Sequence, residues 1–445
     1  MSKYPTLAEK CFVVVSLFFS TSALIPVLLD SQESSATASD PYSPILFLGI
    51  YTITGLLIAQ QWQSFVQVAR KNIWIWLIVA IAIASVYWTV ASDITSRRSI
   101  LLLGTSLFGT YMAMRFTLRE QLHLLAIALG LVAVLSFIFA IALPFYGVMS
   151  IQEGGVHEGA WRGVMTHKNV FGRVMVLSNL VFLFVALGKP ISPTSKQSWQ
   201  WLAWLCYGLS IALIILSTSK TAMISTVVLT VVLFLYRTWR LSYSQVIPLT
   251  IVIVLVLGNA AILVFDNINA ISGALGRDLT LTGRTDIWAV MLDKLAERPL
   301  IGYGFNAFWR DWNSPVTAEV WRILAWECPY GHNGFMDLLV ELGIPALVIF
   351  MISYITAILR GVRLLQNTRN VEGIWHLMFL TFILIYNISE SSLLATNSIF
   401  WIVYVSTVFS LAAKSQPSPV YQFVTAISED ERLELEGARD WDLRN

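Results

Sequence analysis

Apolar residues run along this chain in long blocks separated by short polar breaks. A helix needs about 20 predominantly apolar residues to cross a bilayer. On that measure the pattern predicts about twelve transmembrane helices, near 11–29, 44–61, 73–91, 99–116, 123–147, 170–188, 200–216, 221–236, 245–265, 334–357, 373–389 and 397–413. The first is longer than the apolar region of a secretory signal and others follow it, so it reads as a retained span. One long polar segment, 266–332, interrupts the series and ends on Gly331-His332-Asn333-Gly334-Phe335. Inside it, Thr285 is placed to cap a short amphipathic helix from Asp286 to Glu297, which Pro299 helps to end. Ile287, Trp288, Met291, Leu292 and Leu295 share one face of that helix, with Asp293, Lys294 and Glu297 elsewhere. Such a helix lies on the membrane surface or packs on the spans. From Lys414 onward the chain turns polar and acidic, and Ser428 with Glu431 forms a capping box there. The expected organisation is a polytopic membrane domain over 1–413 and an acidic soluble tail over 414–445.

Composition agrees with the pattern. Hydrophobic residues make up 56% of the chain and charged residues 13%, with a mean hydropathy of +0.69, far from the soluble average. The expectation is an all-α integral membrane protein. Basic residues set its orientation. With the N-terminus cytoplasmic, Arg70, Lys71, Arg115, Arg119, Lys189, Lys196, Arg237, Arg240, Arg360, Arg363 and Arg369 fall inside, and the C-terminal tail is cytoplasmic too. The outer stretches 30–42 and 390–397 carry no Lys or Arg. Arg97, Arg98, Arg162, Lys168 and Lys220 fall outside, against the rule. Charges kept on a membrane rim against that bias are candidates for ligand contacts. Cys11, Cys206 and Cys328 lie in separate segments and suggest no disulfide framework. A Cys328–His332 pair lacks the further ligands that a metal site needs. A net charge of +2 without a basic aromatic patch gives no reason to expect nucleic acid as a partner. No internal repeat is visible of the kind common in secondary transporters.

The candidate chemistry gathers at the outer rim. His332 ends a loop that also holds Arg284, Arg298, Arg310 and Arg322. Arg284 directly precedes the expected loop helix, whose N-terminus carries partial positive charge and free N–H groups; a surface arginine in a solvated loop is the plainer reading. Trp309, Trp312, Trp321 and Trp326 crowd the same loop, either as interfacial anchors or as platforms for sugar rings. A second cluster, Arg162, His167, Lys168 and Asn169, precedes the sixth span; snorkelling of Arg162 and Lys168 is the alternative to ligand binding. A third, Ser217-Thr218-Ser219-Lys220-Thr221, breaks spans seven and eight and puts Lys220 on the His332 side.

Three segments together resemble the O-antigen ligase and polymerase superfamily of bacterial membrane glycosyltransferases. They are Trp161-Arg162-Gly163 through His167-Lys168-Asn169, then Thr282-Gly283-Arg284-Thr285-Asp286-Ile287-Trp288 with Arg298-Pro299-Leu300-Ile301-Gly302-Tyr303-Gly304, then Gly331-His332-Asn333-Gly334-Phe335 with Glu341-Leu342-Gly343. The His-Lys-Asn form of the first is similar to the exopolysaccharide-repeat polymerase branch. The resemblance covers roughly residues 150–350 and implies a GT-C-like membrane fold with a large periplasmic loop over the site, in the bacterial cytoplasmic membrane. It implies inverting transfer of a glycan from an undecaprenyl diphosphate carrier to a glycan or lipid acceptor, without a cofactor or metal. It also implies residue roles: His332 as the essential histidine, Arg284 as the loop arginine, and Arg162 as the arginine before the sixth span. Lys220 stands where many relatives have arginine, and a lysine cannot grip phosphate bidentately. His167, Lys168, Asn169, Asn333 and Tyr303 complete the expected substrate-binding set. The alternative is a secondary transporter of a small anion, which should instead carry ionisable groups mid-span. A cell-wall glycan polymerase using an outer-loop acid such as Glu153, Glu158, Glu319 or Glu327 is a further rival, though its motifs differ from these.

Overall fold

The computed structural model describes residues 5–24, 42–150, 158–188, 196–238, 282–367 and 371–414. Among them the regular structure is helical, with one isolated bridge between Val148 and Trp161. The expected span 245–265 and the capping box at Ser428 lie outside the described residues. Each remaining expected span meets a helix, and local chemistry sets several starts. Thr6 and Glu9 form a capping box that opens Leu7–Phe19, and Thr117 with Glu120 opens Leu118–Ala142 in the same way. Each box satisfies two backbone N–H groups at a helix start.

Leu118–Ala142, Lys168–Leu187 and Gly334–Gln366 are long and apolar enough to cross a membrane. The block expected as one span at 44–61 belongs to a pair, Pro44–Ala59 and Trp62–Ala69, bent by 100°. Other apolar helices are shorter, including Ile73–Ala84 and Ile399–Lys414. An all-helical fold with apolar helices fits an α-helical membrane protein.

The core lies between the helices Ser92–Arg115, Lys168–Leu187, Val371–Ser389 and Ile399–Lys414 and is filled with aromatics, among them Trp375, Trp401, Tyr386 and Phe182. Small residues let backbones approach, as expected where helices pack in lipid. Ser106 and Gly109 face Ile399–Lys414, where the Trp401 indole donates to Ser106 Oγ at 2.9 Å.

The loop is tied to the spans by two of the sequence motifs. Gly343 (φ 79°, ψ 177°) breaks the helix Gly334–Asn367 just before Pro345. The break frees two carbonyls and an N–H, and the loop pairs with them: Tyr303 N–H donates to Val340 O at 2.9 Å, Gly304 N–H donates to Glu341 O at 2.8 Å, and Pro299 O accepts from Ile344 N–H at 2.8 Å. A Cβ on Gly343 would sit 2.4 Å from Leu300 O, so no larger residue fits this joint. Pro299–Gly304 and Glu341–Gly343 are thus two halves of one contact.

The loop helix runs Thr282–Glu297, earlier than the start expected at Asp286, so Arg284 lies in its first turn. Its buried positions are Ile287, Val290, Met291 and Lys294, whereas Leu292 is 53% exposed. Lys294 is buried because its ammonium reaches Glu297 and Glu319, each at 2.7 Å. Trp321 and Cys328 complete this small core, joined by a 2.8 Å bond from the indole to Cys328 O. Trp312 and Trp326 stay half-exposed at its surface.

Candidate active site

Four helix ends meet at one rim: the starts of Lys168–Leu187, Thr282–Glu297 and Gly334–Asn367, and the end of Val371–Ser389. Three N-termini bring partial positive charge to that rim. His167 caps the first, its Nδ1 accepting from Asn169 N–H at 3.2 Å. Asn333 caps the third, its Oδ1 accepting from the N–H groups of Phe335 (3.0 Å) and Met336 (3.2 Å). His332, just before that cap, is held at φ 49°, a left-handed conformation uncommon outside glycine. The Trp288 indole donates to Gly331 O at 2.8 Å and joins the loop helix to this turn. A Cβ on Gly331 would stand 2.5 Å from Asp337 Oδ1 and 2.7 Å from Met291 Cε, which explains the first glycine of the motif.

Glu390 is the centre of the arrangement. Its side chain is 5% exposed. Oε1 lies 3.6 Å from Arg284 Nη2 and accepts from Asn169 Nδ2 at 3.3 Å. Oε2 accepts from the Tyr330 hydroxyl at 3.1 Å and lies 3.9 Å from His332 Nδ1. Burial pushes the Glu390 carboxyl upward, against Arg173, Arg284 and the Tyr330 hydroxyl, which favour its charged form. Burial pulls the His332 imidazole down to about 4, helped by the charges of Arg284 and His167. His332 is therefore neutral at neutral pH, and its approach to Glu390 is not an ion pair. Its ring packs on Tyr330 with centroids 4.1 Å apart.

Arg173 and Arg284 act on this carboxylate, and two lysines lie at the same rim. Lys168 Nζ is 3.5 Å from Thr218 Oγ1 and within electrostatic reach of Lys220. Ser219, preceding Lys220, donates to Asn169 Oδ1 at 3.2 Å. The structure thus brings His332, Arg284, His167, Lys168, Asn169 and Lys220 to one rim, with Asn333 as a cap. Arg162 is buried at 5% exposure and is committed at Nε and Nη2 to the carbonyls of Tyr146 (2.7 Å) and Phe145 (3.1 Å); there it braces the turn Pro144–Gly147. Tyr303 belongs to the loop core, its hydroxyl donating to Glu297 Oε2 at 2.7 Å and Lys294 O at 3.1 Å. Of the other loop arginines, Arg298 lies over the Tyr303 ring at 4.9 Å.

Sequence reasoning missed Glu390, Tyr330, Arg173 and Asp337. Arg173 donates to Ser391 O at 3.0 Å and lies over the Phe400 ring at 4.7 Å. Its signal was a lone charge inside an apolar block, which is costly unless functional. Asp337 gave the same signal, and Glu390 is the one acid of the short outer stretch 390–397.

Residues 205–351 match the model of the O-antigen ligase family. They hold Lys220, Arg284 and His332 together. That segment is similar to the O-antigen ligase domain. The match covers that segment alone and agrees with the superfamily that the chain's motifs resemble. The matched segment begins after the Trp161–Asn169 motif and ends before Glu390, so two walls of the site lie outside it. The chain is also similar to the exopolysaccharide production protein ExoQ of Rhizobium meliloti (strain 1021), at 32% identity over 110 residues. That alignment spans 24% of this chain and 25% of the relative.

Proposed function

We propose that this protein is a membrane glycosyltransferase acting at the outer face of the bacterial cytoplasmic membrane. It moves a glycan from an undecaprenyl diphosphate carrier to a hydroxyl of a glycan or lipid acceptor, as an O-antigen or exopolysaccharide polymerase or ligase. The observation that carries the reading is the neutral His332 beside Arg284, at a rim that also gathers Lys168 and Lys220. Diphosphate departure needs fixed positive charge, and an attacking hydroxyl needs a base. On this reading both termini are cytoplasmic. Arg360, whose Nη2 meets Lys71 O at 3.3 Å, marks the inner end of the His332 helix, on the order of 35–40 Å from its start by helical rise.

The step balances without an added reagent. His332 Nε2 takes the proton of the acceptor hydroxyl, whose oxygen forms the new bond to the anomeric carbon. The bond from that carbon to the phosphate oxygen breaks, and its electron pair leaves with the diphosphate. Attack from the opposite side inverts the centre. Arg284, with Lys168 and Lys220 at the same rim, neutralises the charge growing on the leaving group, where a preorganised donor contributes about 10²–10³-fold. Glu390, 3.9 Å from Nδ1, stabilises the imidazolium as it forms, one part of the role a buried carboxylate plays in hydrolytic triads.

The test is lipid analysis of a deletion strain complemented with wild type or His332→Ala. The wild type restores surface polymer; the variant inserts in the membrane yet leaves glycan on the carrier. Single repeats on the carrier indicate a polymerase and long chains a ligase. Normal surface polymer with His332→Ala ends this reading.

A further inference from the structure

One carboxylate outside the set just described touches both segments that carry the reacting groups. Asp337 lies in the first turn of the helix Gly334–Asn367. Its Oδ1 accepts from Gly331 N–H at 3.0 Å and from the Trp309 indole at 2.8 Å. Its Oδ2 accepts from the Ser391 hydroxyl. Gly331 immediately precedes His332, and Ser391 immediately follows Glu390. A second link runs beside it, from Gly334 N–H to Glu390 O at 3.2 Å.

We infer that Asp337 is a positioning residue: its one side chain clamps the His332 turn to the Glu390 turn and so fixes the distance between base and carboxylate. The clamp rests on the function proposed above. The geometry explains why one is required. His332 holds a left-handed φ of 49°, a strained conformation that persists only where the surroundings enforce it. Its Nδ1 is buried without a hydrogen-bond partner among the described residues, so no bond of its own fixes the ring against Glu390. The restraint has to come from the backbone on either side, and Asp337 supplies it there. Trp309 extends the clamp into the loop, so the same carboxylate also holds the loop over the site. Asp337 has three donors directed at it and needs no contact with substrate.

A clamp depends on acceptor geometry, not on charge or proton transfer, and that distinguishes it from a catalytic acid. In Asp337→Asn, the amide oxygen keeps Gly331 and Trp309, while Ser391 can reverse its hydroxyl and accept from the amide. In Asp337→Ala all three contacts go. A misplacement of about 1 Å costs about 10²-fold in turnover.

The experiment uses full-length protein in proteoliposomes and, as donor, the undecaprenyl-diphosphate glycan that accumulates in the deletion strain. Asp337→Ala lowers kcat about 100-fold with the donor KM within a few fold, and Asp337→Asn recovers turnover to within about tenfold of wild type. Ser391→Ala, which removes a single contact, lowers kcat in the same direction and keeps the test decisive where Asp337→Ala fails to accumulate. Equal loss in Asn and Ala variants, or unchanged kcat in Ser391→Ala, overturns the clamp. An active wild type with an inactive His332→Ala but a normal Asp337→Ala sinks the clamp alone; a wild type without transfer sinks the function beneath it.

Discussion

Nδ1 of His332 stands 3.9 Å from Oε2 of Glu390, beyond hydrogen-bond length yet close enough for charge to be felt. In the resting site the imidazole is neutral and its buried Nδ1 is left without a hydrogen-bond partner among the described residues. Once the ring takes a proton, the same carboxylate becomes its nearest counter-charge. A small closing movement then converts a loose approach into a charge-assisted bond. The pair is arranged for the protonated state, not the resting one.

Glu390→Gln tests that relation directly. The amide keeps the shape and the contacts of Tyr330 and Asn169 but removes the charge. Turnover should fall about 10²-fold, the loss expected when one preorganised electrostatic partner is deleted. Donor binding should hold or tighten, because a negative charge near the diphosphate is gone. The measurement is single-turnover transfer beside an equilibrium donor-binding assay.

The acid limb of the pH profile follows from His332. Burial, Arg284 and His167 hold the free imidazole at about 4, so the basic form persists above that value and is lost as pH falls through it. In Glu390→Gln, where the carboxyl that burial raises no longer titrates, the kcat/KM profile, which reports the free enzyme, should stay flat from neutral pH down to about 5 and fall near 4. A bound diphosphate puts negative charge beside the ring and raises its pKa, so kcat should fall at a higher pH. A kcat/KM limb at about 6.5, the unperturbed histidine value, would show that the ring is not in this environment.

How much of this could be read from the chain is clearest at particular residues. His332, Arg284, His167, Lys168, Asn169 and Lys220 were legible because cations and imidazoles at the edge of apolar blocks are conspicuous. Glu390 was not, because a reading that looks for charge to hold an anion passes over a carboxylate. Only the fold shows that this acid sits among the cations and against the base. Tyr303 and Arg162 were legible as members of motifs, but the motif does not reveal that one hydroxyl is committed to Glu297 and one guanidinium to a turn. The loop helix shows the same limit: Lys294 looks solvated by periodicity and is buried because Glu319, on the next helix, waits for it.

Arg284→Lys separates a forked donor from a point charge. Arg284 approaches Glu390 through Nη2 at 3.6 Å, and on the proposed function its other guanidinium donors take the diphosphate. Lysine keeps the charge but has no rigid fork, so bidentate phosphate geometry is lost. Turnover should fall at least tenfold, more than for Arg322→Lys on the exposed face of the helix Pro315–Leu324. Equal effects at the two positions would mean that the loop helix does not hold the diphosphate.

The joint between loop and membrane domain is tested at Gly343. Alanine there must adopt φ 79° and place its Cβ 2.4 Å from Leu300 O, against backbone that is itself hydrogen-bonded across the joint. The strained conformation alone costs of order 1–3 kcal/mol, and relieving the clash breaks the Ile344–Pro299 bond. Gly343→Ala should therefore lower the thermal midpoint, expose the segment 299–312 to protease and reduce turnover together. Gly130→Ala is the control. Gly130 is helical and a Cβ there meets nothing within 4 Å, so alanine should stabilise by up to about 1 kcal/mol and leave transfer intact. If Gly343→Ala matched that control in melting and proteolysis, the loop would not be anchored through this break, and the His332 turn would need another support.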